Sequence, residues 1–348
     1  MQDERFAQPD PPGMTPVKGV SVWRYVVIVV LVLGLGAAAF FAPIPVVFIY
    51  LPGPMRDAEE LVQAADAKTY SSEGSLYMTT ITVDTEVTFV DMLLAAVHPD
   101  QEVVMREQVT GGQSLEDLRV SQRAEMRASQ SSAKQVALTE LGFDPPTGEG
   151  AEIVGIIVDS PAERDLRETD VIVGIDGRPI RTTCDVGSVM NAKEPGELAT
   201  ILYERDDARR RTEVRLARSP FGPGAFLGVE MRTVDFSFSP GVEVTFDTGR
   251  IAGPSAGLML ALALYDQLTP EDLTAGREIA GTGTLDCDGE VGAIGGIRQK
   301  IAAARARGVE IFLAPAGSIE EARQAGEGIN VVPVDTFAAA LDYLSNLD

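Results

Sequence analysis

The stretch Gly253-Pro254-Ser255-Ala256-Gly257, with the apolar run Leu258–Leu268 behind it, decides how this chain is read. Small residues flank one serine, and the run that follows has helical periodicity, so Ser255 falls at a helix N-terminus. Unpaired backbone N–H groups there can hold a developing oxyanion. The same segment alone also fits a plain N-cap, a role serine fills well. Further along, Thr282-Gly283-Thr284-Leu285-Asp286-Cys287-Asp288-Gly289 reads as strand and turn. It leads through Gly295-Gly296 into a helix, Ile297-Arg298-Gln299-Lys300-Ile301-Ala302-Ala303-Ala304. A cation in the first turn of an alanine-rich helix opposes the helix dipole. Burial and the dipole both favour the neutral amine, the form a lysine needs to act as a general base.

Upstream, residues 146–217 have the texture of short strands and tight turns. Ile153–Val158 and Asp170–Ile175 read as strands, and Ser160-Pro161-Ala162 opens a short helix. Asp176-Gly177 is a hairpin turn, residues 184–191 suit a helix, and Leu198–Tyr203 with Glu213–Leu216 suit a closing pair. Further back, Leu115–Leu141 reads as a polar helix ending at Gly142, and Asp91–Val97 as a short helix closed by His98, whose position suits a helix terminus. Ser75–Val83 is rich in β-branched and aromatic residues and reads as one strand. Ala58, Leu61, Val62 and Ala65 have helical spacing, which predicts a helical connector over 57–70.

From Tyr25 to Met55 no charged residue occurs, and Tyr25–Phe41 is almost wholly apolar. About 20 such residues span a bilayer as a helix. Pro43 and Pro45 are expected to end it. Lys18 and Arg24 precede the run while Asp57, Glu59 and Glu60 follow it, which predicts a single-pass helix with a cytoplasmic N-terminus. Ala37-Ala38-Ala39 also offers a signal-cleavage reading, against which the long N-terminal region and the continuing apolar stretch argue.

The 348 residues predict two or three domains. Acidic residues outnumber basic ones, 52 to 29, a net charge of −23 that disfavours a nucleic-acid partner. One histidine, His98, excludes multi-histidine metal sites, and two cysteines exclude a Cys₄ zinc site; no metal or cofactor is expected. Cys184 and Cys287 lie more than a hundred positions apart in separate predicted domains, so two buried free thiols are expected rather than a disulfide. No phosphate-binding loop of the G-x-x-x-x-G-K-[ST] type occurs.

Ser255 in Gly-Pro-Ser-Ala-Gly, followed 45 positions later by Lys300 in Gly-Gly-Ile-Arg-Gln-Lys, resembles the proteolytic domain of the Lon family over about 240–316. The resemblance implies a Ser-Lys dyad: Ser255 as nucleophile, Lys300 as its base, Thr282 orienting the lysine, and amides near Ser255 as the oxyanion hole. Residues 146–218 resemble a PDZ domain of the bacterial protease-associated kind, which implies a small β-barrel that clamps peptides as an added strand. Its carboxylate-binding loop is sought at Gly148-Glu149-Gly150. The whole chain is similar to membrane-anchored, Lon-like proteases without an ATPase.

The expected architecture is therefore α/β (α+β). It comprises a cytoplasmic tail (1–24), a transmembrane helix (25–50), a connector (51–69), a first protease portion (70–145), an inserted PDZ domain (146–218) and a catalytic portion (224–348). The implied activity is ATP-independent cleavage of unfolded or PDZ-recruited protein and peptide segments outside the cytoplasm, in a ring-shaped homo-oligomer. The alternative is a membrane-tethered peptide-binding module with an inactive protease fold. Two positions depart from the family pattern. Ala252 stands two before the motif's proline, where an acidic residue is common, and Thr284 stands where full-length Lon has an acid.

Overall fold

A computed structural model describes residues 22–218 and 225–347. The tail before Val22, with Lys18, lies outside the described residues, as does the join at 219–224.

The central sheet runs, in spatial order, Arg56–Asp57, Ser75–Met78, Glu278–Gly281, Ile311–Pro315 and Asn330–Val334. The last four are parallel, in register Leu76↔Ile279↔Ile311. Parallel strands need cover on both faces, and the side chains alternate accordingly. Leu76, Met78, Ile279 and Leu313 face one layer, while Tyr77, Ala280 and Phe312 face the other.

The helices are α1 (Val22–Phe40), α2 (Phe89–Val97), α3 (Arg106–Thr110), α4 (Leu115–Glu140), α5 (Thr183–Asn191), α6 (Gly257–Leu268), α7 (Ile297–Arg307), α8 (Ile319–Ala325) and α9 (Phe337–Ser345). Helices α4, α6 and α9 cover the first face of the sheet, and α7 and α8 the second. The long α4 starts where Ser114 accepts from the Asp117 amide, and Thr336 caps α9 in the same way. α6 is apolar on nearly every side because it is enclosed on nearly every side; Leu258–Leu264 are all buried.

A second sheet has its own core of Ile153, Ile172, Ile201, Val189 and Leu227. Its order is Ala208–Arg215, Leu198–Arg205, Val171–Ile175, Ala151–Ile156 and Val229–Thr233, with Arg178–Pro179 on the side. Asp176 and Gly177 take positive φ in the hairpin turn expected of them. Buried Asp170 anchors this unit through a two-pronged ion pair with Arg205, at 2.6 Å on each oxygen. Because Val229–Thr233 closes the sheet, the unit extends past the 218 boundary expected from sequence. A third, three-stranded sheet pairs Ile81–Asp84 and Glu102–Met105 with Val47–Pro52.

Several expectations are corrected. Residues 57–70 are not a helix: Glu59–Leu61 is one 3₁₀ turn, and Val62–Ala65 is a strand paired with Glu243–Phe246. Ala58, with helical dihedrals at the head of the 3₁₀ turn, and Val62, in extended backbone, satisfy helical spacing and both face the core without a continuous helix between them. The single strand expected over Ser75–Val83 is two, and they enter different sheets on either side of Thr79-Thr80. The apolar run does not stay helical to 50, because α1 ends at Phe40 and Val47–Pro52 is a central strand. Among the described residues, which leave out the side chains of 36–39, no helix is long and apolar enough to cross a membrane.

The cysteines are not free. Cys184 on α5 and Cys287 in the turn after Thr284–Leu285 form a disulfide, with Cα atoms 5.7 Å apart. Folding docks α5 onto that turn, where Asn191 donates to Asp286 at 3.4 Å and Ser188 hydrogen-bonds Asp288. Sequence distance was therefore no guide to separation in space.

Candidate active site

Lys300 and Ser255 meet beyond the C-terminal end of the central sheet. Strand Glu278–Gly281 delivers Thr282, whose amide donates to Leu313 O at 3.1 Å. Lys300 sits one turn into α7 with its amide on Gly296 O, and Gly296 opens that helix from positive φ. The serine lies in a 3₁₀ turn, Pro254–Ala256, entered through Gly253 at φ 92°. Only glycine adopts that conformation without strain.

Lys300 Nζ donates to Ser255 Oγ at 2.8 Å and to Thr282 Oγ1 at 2.9 Å. Thr282 Oγ1 in turn donates to Ser255 O at 3.1 Å, so the threonine ties both motifs together. The serine hydroxyl does not cap α6; neither the 3₁₀ turn nor the helix receives a side-chain cap. Its geometry is that of a hydroxyl presented to an amine.

The lysine is only 3% exposed and Thr282 is fully buried. Burial removes water from the ammonium and pulls the Lys300 pKa down from 10.5 to about 7. Its side-chain hydrogen bonds go to neutral hydroxyls, so no carboxylate offsets that loss. An amine so placed is substantially neutral at physiological pH and within proton-transfer distance of a hydroxyl.

A cleft of ≈ 1030 Å³ opens over the serine. Tyr50, Met78, Ile81, Met126, Ile251 and Ile294 supply much of its apolar lining. Ala252 and Thr284 also line it, so the two positions that depart from the family pattern add no charge of their own to a cleft that Arg56, Asp247 and Arg250 also line. Among the described residues no cluster of His, Cys, Asp or Glu could hold a metal ion.

Sequence reasoning missed the brace behind the serine. Ser129 Oγ on α4 donates to Pro254 O at 2.8 Å, and the Gly253 amide donates to Gln122 O at 3.0 Å. A Cβ on Gly257 would fall 2.7 Å from Ser129 Oγ, so glycine is what lets α6 approach. The buried side of α4, Met126, Ser129, Ala133, Val136 and Ala137, recurs every three or four residues, a readable signal in a helix otherwise classed as polar. His98 is an exposed C-cap of α2 and stands apart from the site.

Gly148-Glu149-Gly150 is not an open carboxylate cradle. The Glu149 amide is bonded to Val234 O and the Gly150 amide to Arg181 O, both at 2.9 Å. Of the second sheet's two edge strands, Ala208–Arg215 and Val229–Thr233, the latter is preceded by Leu227-Gly228 and bordered by α5, where Thr183 N donates to Thr233 Oγ1 at 3.1 Å.

Comparison with known proteins gives the same two parts. Residues 241–343 match the Lon protease (S16) C-terminal proteolytic domain family, and residues 114–216 match the PDZ domain family. Lon protease 2 of Bacillus subtilis is 23% identical over 263 residues, covering 73% of this chain and 44% of that protein. The archaeal Lon protease of Methanocaldococcus jannaschii is 33% identical over 99 residues, 28% of this chain and 15% of that protein. A probable periplasmic serine endoprotease of the DegP-like type from Ectopseudomonas mendocina is 31% identical over 81 residues, 23% of this chain and 17% of its own. The chain thus spans less than half the length of these curated relatives. Among solved structures, the PDZ domain of the SdrC-like protein from Listeria monocytogenes matches with a TM-score of 0.23 at 22% identity, over 24% of this chain and 90% of that one. The chain carries a Lon-type proteolytic domain and a PDZ domain, which supports a serine peptidase.

Proposed function

We propose that this chain, joining a Lon-type proteolytic domain to a PDZ domain, is an ATP-independent serine endopeptidase that works through a Ser255–Lys300 dyad. The observation that carries the reading is the 2.8 Å contact between a buried amine and the serine hydroxyl, with burial holding that amine near neutrality. Lys300 Nζ takes the hydroxyl proton as Ser255 Oγ attacks the scissile carbonyl carbon. Backbone amides near Ser255, such as its own and that of Ala256, would hold the oxyanion; Pro254 has no N–H to offer. The protonated lysine returns its proton to the departing amine, and then activates water to release the acyl group. Thr282 is a positioning residue, holding Nζ on line with Oγ.

The cleft accepts extended or unfolded segments, and the PDZ unit raises their local concentration by taking a peptide alongside Val229–Thr233. No phosphate loop occurs in the 348 residues, which supports independence from ATP within this chain. We also propose that the segment beginning at Tyr25, which carries no charged residue as far as Met55, anchors the chain in a membrane, since about 20 apolar residues span a bilayer. The basic flank of Lys18 and Arg24 puts the N-terminus in the cytoplasm and the other parts outside it. The proposal extends to a homo-oligomeric ring, for which the Lon likeness is the support.

Casein cleavage and covalent labelling by a serine-directed reagent test the dyad. Both are expected to disappear in Ser255→Ala, and cleavage to disappear in Lys300→Arg, which keeps the charge and cannot become a neutral amine. A wild-type chain that binds peptides yet neither cleaves nor labels is a tethered binding module instead.

A further inference from the structure

Helix α2 is built inside out. Its sequence, Phe-Val-Asp-Met-Leu-Leu-Ala-Ala-Val, contains one polar side chain, and that one is committed to the N-terminus. Thr88 Oγ1 accepts from the Asp91 amide at 3.3 Å, and the Asp91 carboxylate accepts from the Thr88 amide at 2.9 Å. Only Ala95 is buried against the protein. Phe89, Leu93 and Val97, one turn apart, form an outward stripe that is 41%, 51% and 74% exposed, with Leu94 beside it at 51%. A helix that turns its largest apolar side chains away from its own core has another apolar medium to meet.

The stripe is not isolated. The Phe89 ring meets the Phe40 ring edge-on, with centroids 4.7 Å apart, and Phe40 is the last residue of α1. Along α1, Ile28, Val29, Leu31, Val32, Leu33 and Leu35 are all more than half exposed, so the uncovered surface runs around the helix. A second protein chain covers one side of a helix; a bilayer covers every side. The medium that surrounds α1 therefore continues across Phe40 and Phe89 onto α2. A few residues beyond α1, Arg106 donates to Pro45 O at 3.4 Å and lies over the Phe48 ring, a cation beside the apolar surface of the kind that suits a headgroup layer.

We infer that α2 lies flat in the headgroup–acyl boundary of a phospholipid bilayer, as a second lipid contact beside α1; this rests on the anchored reading above. Strand Glu102–Met105 follows α2 and shares its sheet with Ile81–Asp84, whose Ile81 and Val83 line the cleft. A seated α2 thus fixes the cleft at one height over the membrane and favours segments that emerge beside it.

The chain has a single tryptophan, Trp23, so Val97→Trp in a Trp23→Phe background reports on the stripe alone. The full chain is reconstituted into phosphatidylethanolamine–phosphatidylglycerol vesicles, with and without bromine on the upper acyl carbons. Emission is expected to shift to the blue and to fall by roughly half with the brominated lipid, since interfacial helices lie about 5–10 Å deep. Leu93→Trp in the same background gives a second label if the first variant folds poorly. A chain that floats with vesicles while both labels stay open to acrylamide overturns the inference and leaves the anchor standing. Shielding that grows with protein-to-lipid ratio and ignores bromine overturns it in favour of a second copy. A chain that does not float overturns anchor and inference together.

Discussion

Replacing Lys300 by methionine should make the protein more stable at neutral pH. The folded chain holds the Lys300 pKa at about 7 against 10.5 when unfolded, because burial excludes water from the ammonium. Below about 7 both states carry the proton, and above 10.5 neither does. Between these values only the unfolded chain is protonated, so it binds more protons and stability rises with pH across that window. A gap of about 3.5 units at ~1.36 kcal/mol each means the lysine costs roughly 5 kcal/mol at pH 7 relative to strongly alkaline solution. Methionine fills similar volume without charge and forfeits two hydrogen bonds, to Ser255 and Thr282, each contributing about 1 kcal/mol. K300M is therefore expected to gain roughly 3 kcal/mol at pH 7, and to lose that advantage near pH 9 as the wild type recovers. Denaturant unfolding of both full chains across this range measures the difference. In parallel, wild-type kcat/KM should rise through pH 7 and level off, as a base must be neutral to act. A K300M chain less stable at pH 7, or a difference that ignores pH, would refute the buried neutral amine.

Thr282→Val should lower kcat about tenfold with little change in KM, while Thr282→Ser restores it, because only a hydroxyl both accepts from Nζ and donates to Ser255 O. Reducing Cys184–Cys287, which closes a separation of 103 residues, should cost roughly 4–5 kcal/mol in denaturant unfolding; a Cys184→Ser, Cys287→Ser chain should not respond to dithiothreitol. Asp170→Asn should destabilise the second sheet by roughly 3–5 kcal/mol, leaving the Arg205 guanidinium without its counter-charge, read as earlier melting with casein cleavage retained at low temperature.

What was legible in the sequence follows physical range. Ser255 and Lys300 could be named because each is marked by its own local peptide, glycines included. The Asp176-Gly177 turn and the α4, α5 and α7 helices were readable for the same reason. Where the deciding partner is remote, local pattern misled. Ala58, Leu61 and Val62 fit three-and-four spacing, yet Glu243–Phe246 draws Val62–Ala65 into a strand. Ser75–Val83 is rich in β-branched and aromatic residues along its length, and nothing in that composition reveals that Thr79-Thr80 hands the chain from one sheet to another. The disulfide depended on how α5 docks, and the closed amides at Glu149 and Gly150 on what Val234 and Arg181 place opposite them.

Strand Ser75–Met78 lies hydrogen-bonded to Glu278–Gly281, about two hundred residues downstream. On a ribosome, the earlier strand has only Arg56–Asp57 to pair with while everything between is made, including the second sheet, which can close almost by itself. Ser255 and Lys300 emerge only after the earlier strand and the whole second sheet have been made. The contact between Ser255 and Lys300 therefore cannot form until residue 300 has been made, by which time the strands of the second sheet, which end at Thr233, are already in place to pair.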